Sequence, residues 1–249
     1  MIRLKNEREL AGIRASARLL ASTLSQLVRM VAEGARTQEL DSFARSSITA
    51  GGGRPSFLGY MNYPASLCVS INSEVIHGIP GSRRLRSGDI VSLDLGVDLK
   101  GYFSDAAVTV PVGRVSPERR NLLDVTRECL QRGLAHALPG NRVSDISRAV
   151  FEHAAGHSFG VVREYCGHGL GFAPHEDPQV PNYVGAGPNP RLKEGMVLAI
   201  EPMINAGTGD IRLLDDGWTV VTADGGDSAH FEHTVAICSE GMEILTAFE

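Results

Sequence analysis

The chain has 249 residues, of which 43% are hydrophobic and 21% are charged, and its formal net charge is −5. This composition is typical of a globular protein and excludes a disordered chain, a collagen and a membrane bundle. The acidic balance leaves no basic footprint, so we expect no sequence-specific nucleic-acid partner. Because no apolar run approaches the roughly 18 residues of a membrane span, we expect no membrane partner either. The four cysteines form no C-x-x-C pair and no secretory signal is visible, which favours free thiols in a cytoplasmic protein.

Two helices followed by strands are predicted in the first half of the chain. An apolar stripe with helical spacing predicts a long helix that starts by Leu10 and ends near Gly34, and a second helix is predicted over Thr37–Ala50. Period-two alternation then predicts a strand over residues 67–71 and a pair of strands over residues 91–95 and 102–110.

The second half repeats this order of elements. Ser116 and the proline after it predict a helix start, and that helix is expected to end by Pro139. Ser144 is predicted to cap a further helix, and strands are predicted around residues 196–205 and 231–238. We therefore predict one α+β domain over residues 1–249 with an internal structural pseudo-repeat, although no sequence repeat is visible.

Two aspartates are predicted to meet on one hairpin. Asp94 and Asp105 lie opposite each other if the turn is centred between Leu99 and Lys100, and they are diagonal neighbours if it is centred one residue later. In both registers the two side chains come within roughly 5–8 Å. Two such carboxylates repel each other unless a cation lies between them, and their oxygens suit a divalent metal ion. The alternative is a pair of solvent-facing acids on an edge hairpin.

Three further residues are candidate metal ligands. His168 lies among glycines that would let a ligand approach closely, although a structural hydrogen bond is the alternative. Glu201 and Glu232 interrupt apolar strand segments, where a buried carboxylate needs a partner. Four carboxylates and one imidazole suit two adjacent divalent ions, and this ligand set suits manganese, iron, cobalt or zinc.

Four other segments have a possible catalytic interpretation. His77 and His175 lie in turn-rich segments, where catalytic groups often occur, although both could be ordinary surface histidines. Residues 156–160 match G-x-S-x-G, but no strand is predicted before the serine, which argues against a serine hydrolase. Residues 230–233 lack the H-E-x-x-H spacing of a zinc protease.

Five segments in chain order carry a recognisable pattern. They are Ser70-Ile71-Asn72 with Val75-Ile76-His77-Gly78-Ile79-Pro80, the pair Asp94 and Asp105, Tyr165-Cys166-Gly167-His168-Gly169, Ile200-Glu201-Pro202-Met203, and Phe231-Glu232-His233-Thr234. Together they resemble the methionine aminopeptidase family. The resemblance is to the bacterial type I form, because no N-terminal zinc-finger extension is seen. The interval between Glu201 and Glu232 also has no room for the type II helical insertion.

The resemblance implies a fold and an activity. The fold is the pita-bread arrangement of two pseudo-symmetric αβ halves around a curved antiparallel sheet. The activity is metal-dependent removal of the initiator methionine from new proteins, favouring a small second residue. Two divalent ions (cobalt, manganese, iron or zinc) are implied, with Asp105 and Glu232 bridging them. The implied ligands are Asp94, Asp105, His168, Glu201 and Glu232.

The resemblance also implies catalytic and substrate-binding residues. His77 and His175 would contact the substrate, and Glu201 would carry a proton from the attacking water to the leaving nitrogen. The implied lining of the methionine pocket is Phe57, Tyr60, Tyr63, Cys68 and Trp218. One departure concerns Pro174, because relatives often carry a large residue there, and Phe172 is the candidate that could compensate.

The expected partner is the N-terminal peptide of a nascent protein, bound by a monomer that could associate with the ribosome. The nearest alternative is prolidase or aminopeptidase P, which share fold and metals but usually carry an extra N-terminal domain for which 249 residues leave no space. A catalytically inactive binding module is a second alternative, and the complete set of five ligands and two histidines argues against it.

Overall fold

The computed structural model describes residues 1–248 and contains two pairs of α-helices. Asn6 caps the first helix, because its side chain accepts from the Glu9 amide while the Glu9 carboxylate accepts from the Asn6 amide. Within residues 1–248, no helix is both long and apolar enough to cross a membrane. The helices are α1 (Glu7–Met30), α2 (Thr37–Ala50), α3 (Pro117–Ala135) and α4 (Val143–Gly156).

The strands pair in antiparallel fashion throughout the described residues and form four small sheets. They are β1 (Arg54–Pro55), β2 (Cys68–Ile71), β3 (Glu74–Ile76), β4 (Ile90–Leu99), β5 (Tyr102–Pro111), β6 (Gly160–Val161), β7 (Gly167–Gly169), β8 (Glu176–Val180), β9 (Val197–Ile200), β10 (Met203–Asn205), β11 (Ile211–Leu213), β12 (Val220–Thr222), β13 (Ser228–His230), β14 (His233–Ile237) and β15 (Met242–Ile244). A short 3₁₀ helix covers Tyr60–Asn62. The sheets that position the site are β1-β4-β2 with β5 on β4, and β15-β14-β9-β7-β8.

The β4–β5 hairpin selects one of the two predicted registers. Leu99 pairs with Tyr102 and Gly96 pairs with Asp105, so the turn is centred one residue later than the directly opposed arrangement requires. Asp94 and Asp105 are therefore diagonal neighbours on one face of the hairpin. Both side chains are buried, which contradicts the alternative of solvent-facing acids.

Several predicted boundaries are corrected by the structure. The first helix ends at Met30 rather than near Gly34, and the third ends at Ala135. Ser144 is not the cap of α4: Arg142 is the N-cap residue, and the Asp145 carboxylate accepts from its amide. The Ser144 hydroxyl instead accepts from an asparagine side chain outside the helix.

The two predicted C-terminal strands are each interrupted at a glutamate. The first divides into β9 and β10 at Glu201 and Pro202, since proline has no amide hydrogen to donate to a ladder. The second divides into β13 and β14 at Phe231 and Glu232. Because of these interruptions, neither glutamate lies within a regular strand.

The two halves of the molecule repeat each other in detail. An isolated bridge joins Arg36 to Arg84 in the first half, and an equivalent bridge joins Arg142 to Arg191 in the second. The second arginine of each bridge donates to the carbonyl of a glycine with positive φ, 2.6 Å away in one half and 2.8 Å in the other. The fold thus has the predicted internal pseudo-symmetry.

A short stretch of similar sequence accompanies this symmetry, and it becomes recognisable only when the two equivalent bridges align the halves. Residues 84–94 read RLRSGDIVSLD and residues 191–201 read RLKEGMVLAIE. Only three of the eleven positions are identical, the Arg-Leu pair and one glycine, which makes the similarity hard to detect. The two segments end on the candidate ligands Asp94 and Glu201.

The two halves meet along a seam between β5 and the segment that leads into β14. The Glu232 amide donates to the Ala107 carbonyl at 2.9 Å, and the Thr234 hydroxyl donates to the Asp105 carbonyl at 2.7 Å. Helix α1 packs against β4 and β5 in the first half. The seam therefore brings one acidic residue from each half into direct proximity.

Candidate active site

The seam forms the floor of a cavity of about 350 Å³. Every residue predicted from the sequence as a ligand, a catalytic group or a pocket residue lines this one cavity. They are Phe57, Tyr60, Tyr63, Cys68, His77, Asp94, Asp105, His168, His175, Glu201, Trp218 and Glu232.

Three of the candidate ligands come within coordinating distance of a common point. One ligand atom each from Asp105, His168 and Glu232 lies within 4.8 Å of the other two. His168 Nε2 is also 3.5 Å from Glu201 Oε1. Asp94 completes the group as the diagonal neighbour of Asp105 on the hairpin.

The protonation of His168 is determined by its backbone neighbour. Its Nδ1 lies 3.0 Å from the Gly169 carbonyl, which can only accept, so Nδ1 carries the proton. Burial, and then the charge of His175, lower the pKa of His168 to about 3, so the ring stays neutral. Nε2 therefore presents a lone pair toward the carboxylates, as a metal-ligating histidine does.

The glycines beside His168 allow close packing of β7 against its neighbouring strands. A Cβ at Gly167 would lie 2.3 Å from the Ala199 carbonyl oxygen, and a Cβ at Gly169 would lie 2.1 Å from the Asp177 carbonyl oxygen. Any larger residue would thus push β7 away from its neighbours. The two glycines therefore also have a packing role that the sequence did not indicate, and their predicted role in ligand access stays a prediction.

The four candidate carboxylates are buried in surroundings that favour a bound cation. Burial raises the pKa of Asp94 to about 7 and that of Glu201 to about 8. Burial and the neighbouring carboxylates also raise the pKa values of Asp105 and Glu232 well above the ordinary range. Oxygens of Asp94, Asp105 and Glu232 are buried without a hydrogen-bond partner among residues 1–248. The donor set and these unpartnered oxygens fit divalent metal ions, which would supply the missing partners.

The raised pKa values predict that metal-free protein loses stability as the pH rises from 6.5 to 8. The folded chain holds protons on Asp94 and Glu201 that the unfolded chain releases, so this stability is lost as the pH passes their folded pKa values of about 7 and 8. The buried histidines oppose the fall only slightly, because their pKa values are lowered in the fold, and the unfolded forms, half protonated at pH 6.5, are almost fully neutral by pH 8. We expect the melting temperature in chelator to fall by at least about 3 °C over this window. Saturating manganese should abolish the fall, and a flat profile in chelator would contradict the prediction.

Two histidines line the same cavity as the candidate ligands. The His175 ring stacks on Tyr60 with a centroid separation of 5.4 Å, and it lies 4.2 Å from the His168 ring. His77 follows β3 with a left-handed φ of 60° and packs edge-on against Trp218. Burial lowers the pKa of both rings, so each keeps one N–H donor and one lone pair at neutral pH.

Aromatic side chains and a thiol form an apolar wall beside these histidines. Tyr63 is fixed by a hydrogen bond of 2.9 Å from its hydroxyl to the Gly78 carbonyl, and its ring meets Trp218 edge-on at 5.0 Å. Cys68 packs with Tyr63 in the same small cluster, to which Phe57 also belongs. These side chains give the cavity an apolar surface beside the two histidines.

The structure answers the question raised by Pro174. Phe172 packs 6.1 Å from the Tyr102 ring, beneath the Arg3 guanidinium, and does not line the cavity. It therefore does not compensate for the missing large residue. Phe57 and Tyr60 supply aromatic surface on this side of the cavity instead.

Sequence reasoning missed His230, a buried histidine that lies beside the candidate ligand Glu201. His230 is 2% exposed, its Nε2 lies 3.6 Å from Glu201 Oε2, and neither ring nitrogen has a hydrogen-bond partner in the described part of the chain. Its place in the incomplete H-E-x-x-H match was the available signal, although the match itself indicated no site. Tyr165, Cys166 and Met61 also line the cavity, the first two within the segment that carries His168.

A buried group of carboxylates and a neutral histidine, opening on an apolar cavity, defines a metal-dependent hydrolase. Residues 11–239 match the model of Metallopeptidase family M24, and the chain belongs to that family. The architecture is the pita-bread fold implied by the sequence resemblance.

Relatives and solved structures agree with this assignment. A protein named methionine aminopeptidase from Treponema pallidum is 52% identical over 247 residues, which cover 99% of this chain and 96% of that protein. The crystal structure of methionine aminopeptidase from Thermotoga maritima is 39% identical, covers 100% of both chains and gives a TM-score of 0.97. Prolidase from Pyrococcus furiosus is 24% identical over 99% of this chain and 66% of that chain, and its TM-score of 0.82 shows the shared fold.

Proposed function

We propose that this chain is a type I methionine aminopeptidase that removes the N-terminal methionine of nascent proteins, favouring a small second residue. The observation that carries the proposal is one cavity that combines the candidate ligands, two neutral histidines and an apolar wall. The wall would receive the methionine side chain, and the carboxylates at the floor would hold the metal ions next to the scissile bond. The full-length similarity to proteins named methionine aminopeptidase supports the same activity.

The residues that would hold two divalent ions are Asp94, Asp105, His168, Glu201 and Glu232. Four carboxylates then balance the charge of two dications, and the nitrogen and oxygen donors suit manganese, iron, cobalt or zinc. Two such ions would lower the pKa of a bound water to near neutrality and polarise the scissile carbonyl.

Three side chains would act directly on the water or the bound peptide. Glu201 would take a proton from the attacking water and pass it to the leaving nitrogen. His175 would donate its N–H to the developing oxyanion or to the scissile amide. His77 would bind the peptide beyond the scissile bond. All these groups come from one chain, which supports the further proposals of a single domain over residues 1–249 and a monomer. We also propose that the protein acts in the cytoplasm on chains leaving the ribosome, because its proposed substrate is the N-terminal peptide of a nascent protein.

A peptide assay distinguishes this function from the nearest alternative. Purified protein is incubated with Met-Ala-Ser and with an X-Pro peptide, first with manganese or cobalt and then with chelator. We expect methionine release from Met-Ala-Ser only with metal, and less from a peptide whose second residue is bulky. Cleavage of the X-Pro peptide alone would indicate a prolidase, and no turnover with any metal would indicate a binding module.

A further inference from the structure

The N-terminal segment, residues 1–6, packs against the loop that carries His175. The Lys5 amide donates to the Gly195 carbonyl at 2.7 Å, and the Arg3 guanidinium lies 4.0 Å above the Phe172 ring. The terminal ammonium pairs with Asp177 on the far side of the same loop. The segment thus contacts the loop both before and after His175.

Lys5 is buried at the centre of this contact. Its side chain is 1% exposed, and Nζ lies 2.7 Å from Glu176 Oε2, on a carboxylate that is 10% exposed. A buried ammonium is strongly unfavourable unless it is paired. Removing one partner would leave the other as an uncompensated buried charge, so the pair constrains both segments.

Glu176 joins this ion pair to the turn around His175. Its other oxygen, Oε1, accepts from the Phe172 amide at 2.6 Å and from the Ala173 amide at 3.1 Å. One carboxylate therefore closes residues 172–176 into a turn, with Pro174 and His175 at its tip. Lys5 is the only side chain among residues 1–248 that forms an ion pair with that carboxylate.

Two glycines make the room that Lys5 occupies. A Cβ at Gly171 would lie 2.8 Å from Lys5 Cε, and a Cβ at Gly195 would lie 2.7 Å from the Lys5 carbonyl oxygen. Both glycines also have positive φ, so a larger residue would be strained there as well as obstructed. The chain thus forms a fitted channel for the lysine, unlike a surface ion pair.

We propose that Lys5 and Glu176 are positioning residues that hold His175 against the candidate metal centre. His175 is supported on its other sides by Tyr60 and His168, so the turn supplies the remaining constraint. The inference rests on the proposed function, in which His175 acts on the scissile bond. It adds that the N-terminal segment contributes to kcat by holding His175 in position.

Lys5→Met tests the proposal, because methionine has a similar length and no charge. With Met-Ala-Ser and manganese, we expect kcat to fall by about 10-fold to 100-fold, the range that small misplacements of a reacting group produce. KM should change far less, because the apolar wall and His77 are not touched. Hydrogen exchange at the amides of Phe172 and Ala173 should become faster in both metal-loaded and metal-free protein.

Two further variants separate positioning from general stability. Arg14→Met is the matched control: it removes the ion pairs of a partly buried arginine with Glu243 and Glu7, none of which belongs to the loop of residues 172–176. It should lower the melting temperature without changing kcat or exchange in residues 172–176. The double variant of Lys5→Met with Glu176→Gln leaves no buried charge unpaired, so it should fold at least as well as Lys5→Met and lose no further activity.

The measured outcomes distinguish positioning from stability. Lys5→Met with wild-type kcat and unchanged loop exchange overturns the proposal. An equal loss of kcat in Arg14→Met shows a stability effect and overturns it as well. If the wild-type protein releases no methionine from any peptide, the proposed function fails, and the loop-exchange comparison still tests whether the ion pair holds the turn.

Discussion

Asp105→Asn is expected to reduce kcat/KM for a methionyl peptide by more than about 100-fold, since even residues behind the ligands of metal sites cost 10-fold to 100-fold when lost. The asparagine fills the same space, and the backbone bonds of residue 105 to Thr234 can persist. What is lost is one buried charge at the point where Asp105, His168 and Glu232 converge. Isothermal titration with manganese should show weaker binding in parallel with the loss of activity.

The same variant is expected to stabilise the metal-free protein. Burial and then the neighbouring carboxylates raise the pKa of Asp105, so this acid opposes folding at neutral pH, and asparagine removes that unfavourable contribution. Asp98→Asn is the matched control, because Asp98 is a buried aspartate of the same hairpin that is paired with Arg54 and accepts from the Gly101 amide. It should lose stability and keep its activity. A loss of activity in Asp98→Asn equal to that in Asp105→Asn would assign the effect to the hairpin instead of the metal centre.

His175→Ala is expected to lower kcat by about 100-fold, the usual effect of removing one donor to a developing oxyanion. Metal binding should be unchanged, because His175 lies beside His168 and is not one of the proposed ligands. His175→Asn retains an N–H donor and should recover part of the loss. The measurement is kcat and KM with Met-Ala-Ser, alongside manganese stoichiometry.

The contrast with His77 sharpens this assignment. His77 packs against Trp218 and Tyr165, and in the proposed function it binds the peptide beyond the scissile bond, so His77→Ala should raise KM more than it lowers kcat. His157→Ala, an exposed histidine beyond the end of α4, should change neither constant. Full kcat in His175→Ala would remove that residue from the mechanism.

Much of the fold could be predicted because local signals agree with tertiary packing. The apolar stripe of α1 and the Ser116 cap of α3 both appear in the structure. Strands β4 and β5 form where the alternation predicted them, although β4 is buried on both faces. The failures occur where short-range patterns compete. Ser144 has the side chain of a good cap, yet the carboxylate of Asp145 caps Arg142 at an earlier position, and the pairing of Arg142 with Arg191 fixes that start.

The candidate ligands could be predicted for a different reason. A carboxylate in an apolar strand is costly wherever that strand is buried, so Glu201 and Glu232 are anomalous in the sequence alone. His230 carries no such anomaly, because a histidine at a strand end is ordinary. Lys5 likewise looks like a solvent-exposed lysine, and only the fold buries it against Glu176.

The sequence by itself determined the types and order of the metal-binding side chains, the two-helix and strand order of each half, and the resemblance that implied the family. Tertiary structure alone decided the diagonal register of Asp94 and Asp105, the seam that joins Asp105 to Glu232, and the proton position on His168. The physical reason is that the chemical type of each side chain and its spacing from its neighbours are properties of the sequence alone. Burial, register and close backbone approach depend on segments far apart in sequence, and their energies exist only once those segments pack.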